Sequence, residues 1–288
     1  MSDKLRNLIV RTLSGAVLLA IVVAAAWFGE YSYGALLFTI VVVGVWEFYR
    51  LAEAKGIEPQ RWLGLLTSVT LFVSAFCLYM LAVGEVCCTC YEVIMWGSAI
   101  ALPLLLSAIF VVEVFRNRQQ PMLNIATTLM GVIYVALPMS MMLYIPSFIA
   151  GSSAWRPEVF LFYLFLVWGN DVFAYLVGIL FGKHKMCVRL SPKKSWEGFF
   201  GGVAGSLAMG VLGAYVVGGS VAMWLGLALV VSLTSVLGDL VESMFKREVG
   251  VKDSGNIMPG HGGMLDRFDA LILSAPFAFV YLLFVMLI

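Results

Sequence analysis

Nine stretches of about 20 mostly apolar residues recur along this chain, at roughly 13–29, 31–49, 62–83, 93–112, 123–146, 158–180, 198–218, 221–240 and 268–288. About 20 residues at 1.5 Å rise each cross the roughly 30 Å hydrocarbon core of a bilayer. Only 12% of the residues are charged, against about 25% in a typical soluble domain. A soluble protein with unusually buried helices would not need runs of this length. The chain therefore reads as an all-α polytopic membrane protein with about nine transmembrane helices.

The loop charges orient those helices. With the N-terminus in the cytoplasm, 17 of the 18 Lys and Arg residues fall on the cytoplasmic side, and only Arg156 lies outside. That asymmetry is the positive-inside pattern, and it predicts an N-in, C-out arrangement in the cell (inner or plasma) membrane. The basic start with Lys4, Arg6 and Arg11 has a signal-peptide flavour. The many spans that follow favour an uncleaved first helix. The "CCTC" at 87–90 falls in a short outer loop, where a disulfide is permitted. No loop is long enough to hold its own core, and no internal repeat of the transporter kind stands out. Spans one to four carry few polar residues beyond their loop charges, whereas the later spans carry many. We therefore expect scaffold helices over 1–120, about four of them, and catalytic helices over 121–288, about five, with the site on the cytoplasmic side.

Three groups of residues carry chemistry. Asp171, next to Asn170, lies near mid-membrane in "WGNDVFAYLVG". A carboxylate there costs about 2.5–3.5 kcal/mol to insert, so it is expected to line a cavity or pair with a base. In "GDLVESMFKR", Asp239, Glu242, Ser243 and Lys246 share an arc of about 100° on a helix, a face unsuited to lipid. A solvated Glu242–Lys246 pair would explain the end of that run but not Asp239. The stretch "KDSGNIMPGHGGMLDRFD" then places His261 among glycines and puts Asp266 and Asp269 on one helical face. Together with Asp239 they form a candidate oxygen site for Mg²⁺. Lys246, Arg247, Lys252 and Arg267 are the nearby cations, the combination that holds a metal–polyphosphate. A salt-bridged loop without metal is the plainer alternative. The loop "KHKMCVRLSPKKSWEG" adds five cations between Lys183 and Lys194. Inner-leaflet attraction accounts for part of that run. Ser191-Pro192 and Ser195, a turn and a helix cap, suggest a second phosphate-binding wall.

The ordered segments "NDVFAYLVG", "FGKHK", "SPKKSWEGFFGG" and "SMFKREVGVKDSGNIMPGHGGMLDRFD" resemble the phosphatidate cytidylyltransferase (CDP-diacylglycerol synthase) family over 161–270. The resemblance implies transfer of the cytidylyl group of CTP to phosphatidate, giving CDP-diacylglycerol and pyrophosphate. It implies Mg²⁺, as one ion or two, held by Asp239, Asp266 and Asp269, with Lys246 joining them as catalytic. It further implies substrate or phosphate contacts from Asp171, Lys193, Lys194, Ser195, Arg247, Lys252, Asp253, His261 and Arg267. The expected partners are CTP, phosphatidate and bilayer lipid, with no nucleic acid and with a homodimer left open. Other readings are a different CTP-using lipid enzyme of the polyprenol kinase kind, an ion-coupled secondary transporter, or a non-catalytic scaffold. The scaffold gives no reason for the "KDSGNIMPGHGG" segment.

Overall fold

Each expected apolar run closes its backbone hydrogen bonds within itself, as lipid demands. The computed structural model describes residues 3–83, 88–151, 154–255, 257 and 262–287. Among them, eight helices are long and apolar enough to cross a membrane, and a shorter apolar helix, Thr12–Trp27, coincides with the first expected stretch. Large apolar side chains such as Phe115, Leu180 and Tyr215 stand exposed on the helices. In water such surface would drive association; in a bilayer it faces acyl chains.

The chain forms two compact units. One comprises Met1–Leu143 with Glu248–Phe268, the other Tyr144–Arg247 with Asp269–Ile288. The first unit thus runs to 143 and takes in Glu248–Phe268.

The first unit holds α1 (Asp3–Trp27), α2 (Glu30–Glu53), α3 (Arg61–Val83), α4 (Cys88–Arg116), α5 (Pro121–Gly131) and α6 (Leu137–Met142). A π-helical turn, Val132–Ala136, connects α5 to α6. Its cause is Pro138, which has no N–H and whose ring collides with the carbonyl of Tyr134 in a regular α ladder. Two tyrosine hydroxyls tie α5 and α6 to α2, which is why they belong to this unit. Tyr33 donates to the Met142 carbonyl and Tyr49 to the Thr128 carbonyl, each at 2.7 Å. The Tyr49 ring fits only because position 131 is glycine; a Cβ there would lie 2.5 Å from a ring carbon.

A buried polar cluster joins the turn that leads into α3 with α4 and α5. Glu113 accepts from Gln60 Nε2, Asn124 Nδ2 and Arg116 Nη1, each at 2.7 Å. Asn124 Oδ1 in turn accepts from the Glu58 amide at 2.9 Å. The N-terminal helices are therefore richer in buried polar groups than the sequence suggests.

The second unit holds α7 (Ile145–Ala150), α8 (Pro157–Phe181), a hairpin of β1 (Lys185–Cys187) and β2 (Ser191–Ser195), α9 (Trp196–Val216), most of α10 (Val221–Glu248), and α11 (Leu265–Leu287) from Asp269 onward. The hairpin is antiparallel, with Lys185 opposite Ser195 and Cys187 opposite Ser191. Small residues let α8 and α9 approach closely, as membrane helices favour. A Cβ at Gly205 would lie 2.5 Å from the Phe173 ring, and one at Gly202 would lie 2.6 Å from Asn170 Oδ1.

Candidate active site

In the second unit, α10 and α11 meet at Gly238. A Cβ there would lie 2.5 Å from the Asp269 carbonyl oxygen and 3.1 Å from the Ala270 Cα. Only glycine permits that approach, and it brings the next residue, Asp239, beside Asp269. Glu242 follows on the same face of α10, three residues on. Asp239, Glu242 and Asp269 each offer a carboxylate oxygen within 4.8 Å of the others. At an effective dielectric of about 20, two like charges at that distance repel by on the order of 3 kcal/mol.

Two ammonium groups offset part of this charge. Lys194, from the end of β2, reaches Asp239 Oδ2 at 2.6 Å. Lys246, one turn along α10, reaches Glu242 Oε2 at 2.5 Å. Ser243 Oγ donates a long bond to Asp239 Oδ1 at 3.4 Å, and the Ala270 amide donates to Asp269 Oδ1 at 2.8 Å. Asp269 and Glu242 are 9% and 1% exposed, so water does little to relieve their repulsion. Three carboxylates against two ammonium groups form a donor set suited to a small hard cation, which oxygen ligands hold best. The expected trio was Asp239, Asp266 and Asp269. The group that the structure gathers contains Glu242 as its third member.

Lys194 is held in place by its neighbour. Ser195 is buried and caps α9, accepting from the Gly198 amide at 3.2 Å. The hydroxyl is thus engaged at the helix start, as its cap reading expected. At the base of the hairpin, Glu197 accepts from His184 Nδ1 at 2.6 Å and from the Lys183 and His184 amides. Asn170 is fully buried and donates to Ser235 Oγ at 3.1 Å, fixing α8 against α10. Asp171 beside it is exposed yet close enough to Lys194, Asp239 and Asp269 to feel their charge. An exposed carboxylate midway along a spanning helix faces either lipid or water, and the nearby ammonium favours a wet cavity. Lys193 and Arg247 are also exposed.

Residues from the loop 250–265 and the start of α11 belong to the first unit. Asp266 Oδ2 accepts from the Ser254 amide at 2.8 Å, the Ser254 hydroxyl at 2.9 Å and the Gly263 amide at 2.8 Å. This carboxylate therefore folds the loop back on the first turn of α11. Lys252, Asp253 and Arg267 are exposed around it. His261 lies outside the described residues, as do Cys87 and the side chain of Cys88.

Residues 9–285 match the model of the cytidylyltransferase family. The chain belongs to the cytidylyltransferase family. Among its relatives, a phosphatidate cytidylyltransferase of Synechocystis is 30% identical, with 94% of this chain and 95% of the relative aligned. One of Staphylococcus aureus is 39% identical over 63% of this chain and 69% of its own length. One of Mycobacterium bovis is 48% identical over 39% of this chain and 37% of its own length. As a cytidylyltransferase the chain is a nucleotidyltransferase, and it is a multi-pass membrane protein.

Two carboxylates of this cytidylyltransferase receive no role from the sequence. Glu242 falls there on the polar face of its helix, with a solvated i,i+4 pair with Lys246 as the plainer alternative. Both are buried, which only the α10–α11 contact reveals. Glu47 in α2 is not singled out. In the folded first unit it is 2% exposed, and its Oε2 accepts from the Leu265 amide at 2.9 Å. A carboxylate two residues inside the end of the 31–49 apolar run is the one signal that could have found it.

Proposed function

We propose that this chain transfers the cytidylyl group of CTP to phosphatidate, giving CDP-diacylglycerol and pyrophosphate. The observation that carries this reading is the crowding of Asp239, Glu242 and Asp269 within 4.8 Å, with Lys194 and Lys246 in contact. Nucleotide polyphosphates travel with a divalent cation, and this is the acidic group suited to one. The names of the relatives supply the acceptor, phosphatidate.

Asp239, Glu242 and Asp269 are assigned to hold Mg²⁺, which when bound supplies Lewis-acid neutralisation of phosphate charge. The chain's own residues do the rest. An anionic phosphate oxygen of phosphatidate attacks the α-phosphorus of CTP. The bond from that phosphorus to the bridging oxygen breaks, and pyrophosphate leaves with the electron pair. The nucleophile is already ionised, so no side chain needs to remove a proton. The barrier lies in bringing two anions together, and fixed cations lower it by positioning and charge. Lys193, Lys194, Lys246 and Arg247 are assigned to the phosphates, and Lys252 and Arg267 to the same task on the loop that Asp266 shapes. Asp171 is assigned to the wall of the cavity through which CTP enters from the cytoplasm. The 17-to-1 split of Lys and Arg supports that side.

The test is an assay of purified protein in mixed micelles with labelled CTP, phosphatidate and Mg²⁺. The expected outcome is label in the lipid phase, pyrophosphate released in equal amount, and loss of both on adding EDTA. Label transferred only to a polyprenol, or uptake into sealed vesicles without chemistry, would replace this reading.

A further inference from the structure

The loop 250–265 carries charges that the proposed reaction uses, yet its backbone anchor is a residue of α2, more than 200 positions earlier. Glu47 Oε2 accepts from the Leu265 amide at 2.9 Å and from the Ser254 hydroxyl at 3.3 Å, with the Met264 amide also bonded. Leu265 opens α11, and the first N–H groups of a helix have no partner within it. Glu47 is thus a cap supplied from another helix. The Ser254 hydroxyl also reaches Asp266 Oδ2, which binds the Gly263 amide. Two carboxylates therefore grip the same serine and the two ends of one loop. The contact is close on every side: a Cβ at Gly263 would lie 2.5 Å from either Glu47 oxygen. Glycine at that position lets the backbone approach the buried carboxylate.

A charge in an apolar helix is costly to keep. Packing alone would be served by leucine, which leaves the Leu265 amide without this acceptor and the Ser254 hydroxyl with Asp266 alone. Lys252 and Asp253 immediately precede Ser254, and Arg267 immediately follows Asp266. Whatever fixes Ser254 and Leu265 fixes where those three charges stand.

We infer that Glu47 is a positioning residue for nucleotide binding: from α2 it caps α11 and holds Ser254 beside Leu265, so that the neighbouring Lys252 and Arg267 meet the phosphates of CTP. The inference rests on the proposed cytidylyl transfer for its kinetic part and on geometry alone for its structural part.

The experiment compares wild type with Glu47→Leu, Glu47→Gln and Ser254→Ala. Peptide-level amide exchange is measured in detergent, and steady-state kinetics are measured with CTP and phosphatidate varied separately. Glu47→Leu is expected to speed exchange in peptides covering 248–268 and to leave the other helices unchanged. It should raise the KM for CTP about 10- to 100-fold, the range seen when a supporting partner is removed, with the KM for phosphatidate unaltered. Glu47→Gln keeps an acceptor oxygen and should recover most of both losses. Ser254→Ala should fall between the two. Unchanged exchange over 248–268 in Glu47→Leu overturns the inference. So does faster exchange throughout the protein, or an equal rise in both KM values, since either makes Glu47 a general stability residue. If wild type turns over no CTP, the proposed function fails, and the exchange comparison still decides whether Glu47 pins the loop.

Discussion

Two acidic clusters inside this membrane protein have opposite designs. In the first unit, one carboxylate, Glu113, receives three donors, one of them a guanidinium. In the second unit, three carboxylates share two ammonium groups within 4.8 Å. The first cluster is balanced in charge, Glu113 against Arg116, and leaves only a neutral atom, the buried Gln60 Oε1, without a partner among the described residues; a paired network of this sort rigidifies a core. The second, among the described residues, sets three acidic groups against two ammonium groups. A polar cluster in a membrane is therefore better judged by whether its charges balance than by whether it is buried.

This contrast can be broken by substitution. Asp269→Asn removes one of the crowded charges while keeping the shape. Turnover should fall by more than about 100-fold, since removing a mere supporting partner already costs about 10- to 100-fold. The thermal midpoint in detergent should hold or rise, because repulsion is relieved. A drop in midpoint with activity retained would make this cluster another structural one. Gly238→Ala sharpens the point without touching a charge. The added methyl meets the Asp269 carbonyl, so stability should fall by about 1–3 kcal/mol from overpacking. Activity per folded molecule should fall as well, because Asp239 and Asp269 are pushed apart; an assay normalised to the folded fraction checks this. The smallest catalytic effect belongs to Glu113→Gln. It turns an acceptor oxygen into a donor facing other donors, and should cost about 1–3 kcal/mol of stability. The KM for CTP should not move, and a shift in it would place that cluster in the chemistry.

The helices themselves were legible because apolar length is a one-dimensional property. Every expected stretch coincides with a helix, and the π turn at 132–136 follows from Pro138, visible in the sequence but not in any average of hydropathy. The pair Asp239 and Asp269 was legible because each sits where lipid would not tolerate it. Glu242 was legible on the polar face it shares with Asp239 but not as a member of the acidic group, since an i,i+4 pair with Lys246 looks the same in water and in a core. Glu47 and Glu113 were hidden by their place near helix ends, where charges normally reach solvent. Burial at those positions depends on other segments: Ser254 and Leu265, more than 200 residues on, for one, and Gln60 with the next helix's Asn124 for the other. The β1–β2 hairpin was missed because three to five residues among so many charges leave no alternation to detect.

The junction at Ser195 also limits how this enzyme family member can vary. One buried residue pairs with Lys185 as the last rung of the hairpin and caps α9 as its first hydrogen bond. No slack separates strand from helix, so the ammonium of Lys194 rides on a membrane-anchored rod. The tip of the hairpin at 188–190 hangs from the far end of that short ladder. Insertions or replacements at the tip can therefore accumulate without displacing the charge, whereas a single residue added between 194 and 196 would swing it away from Asp239.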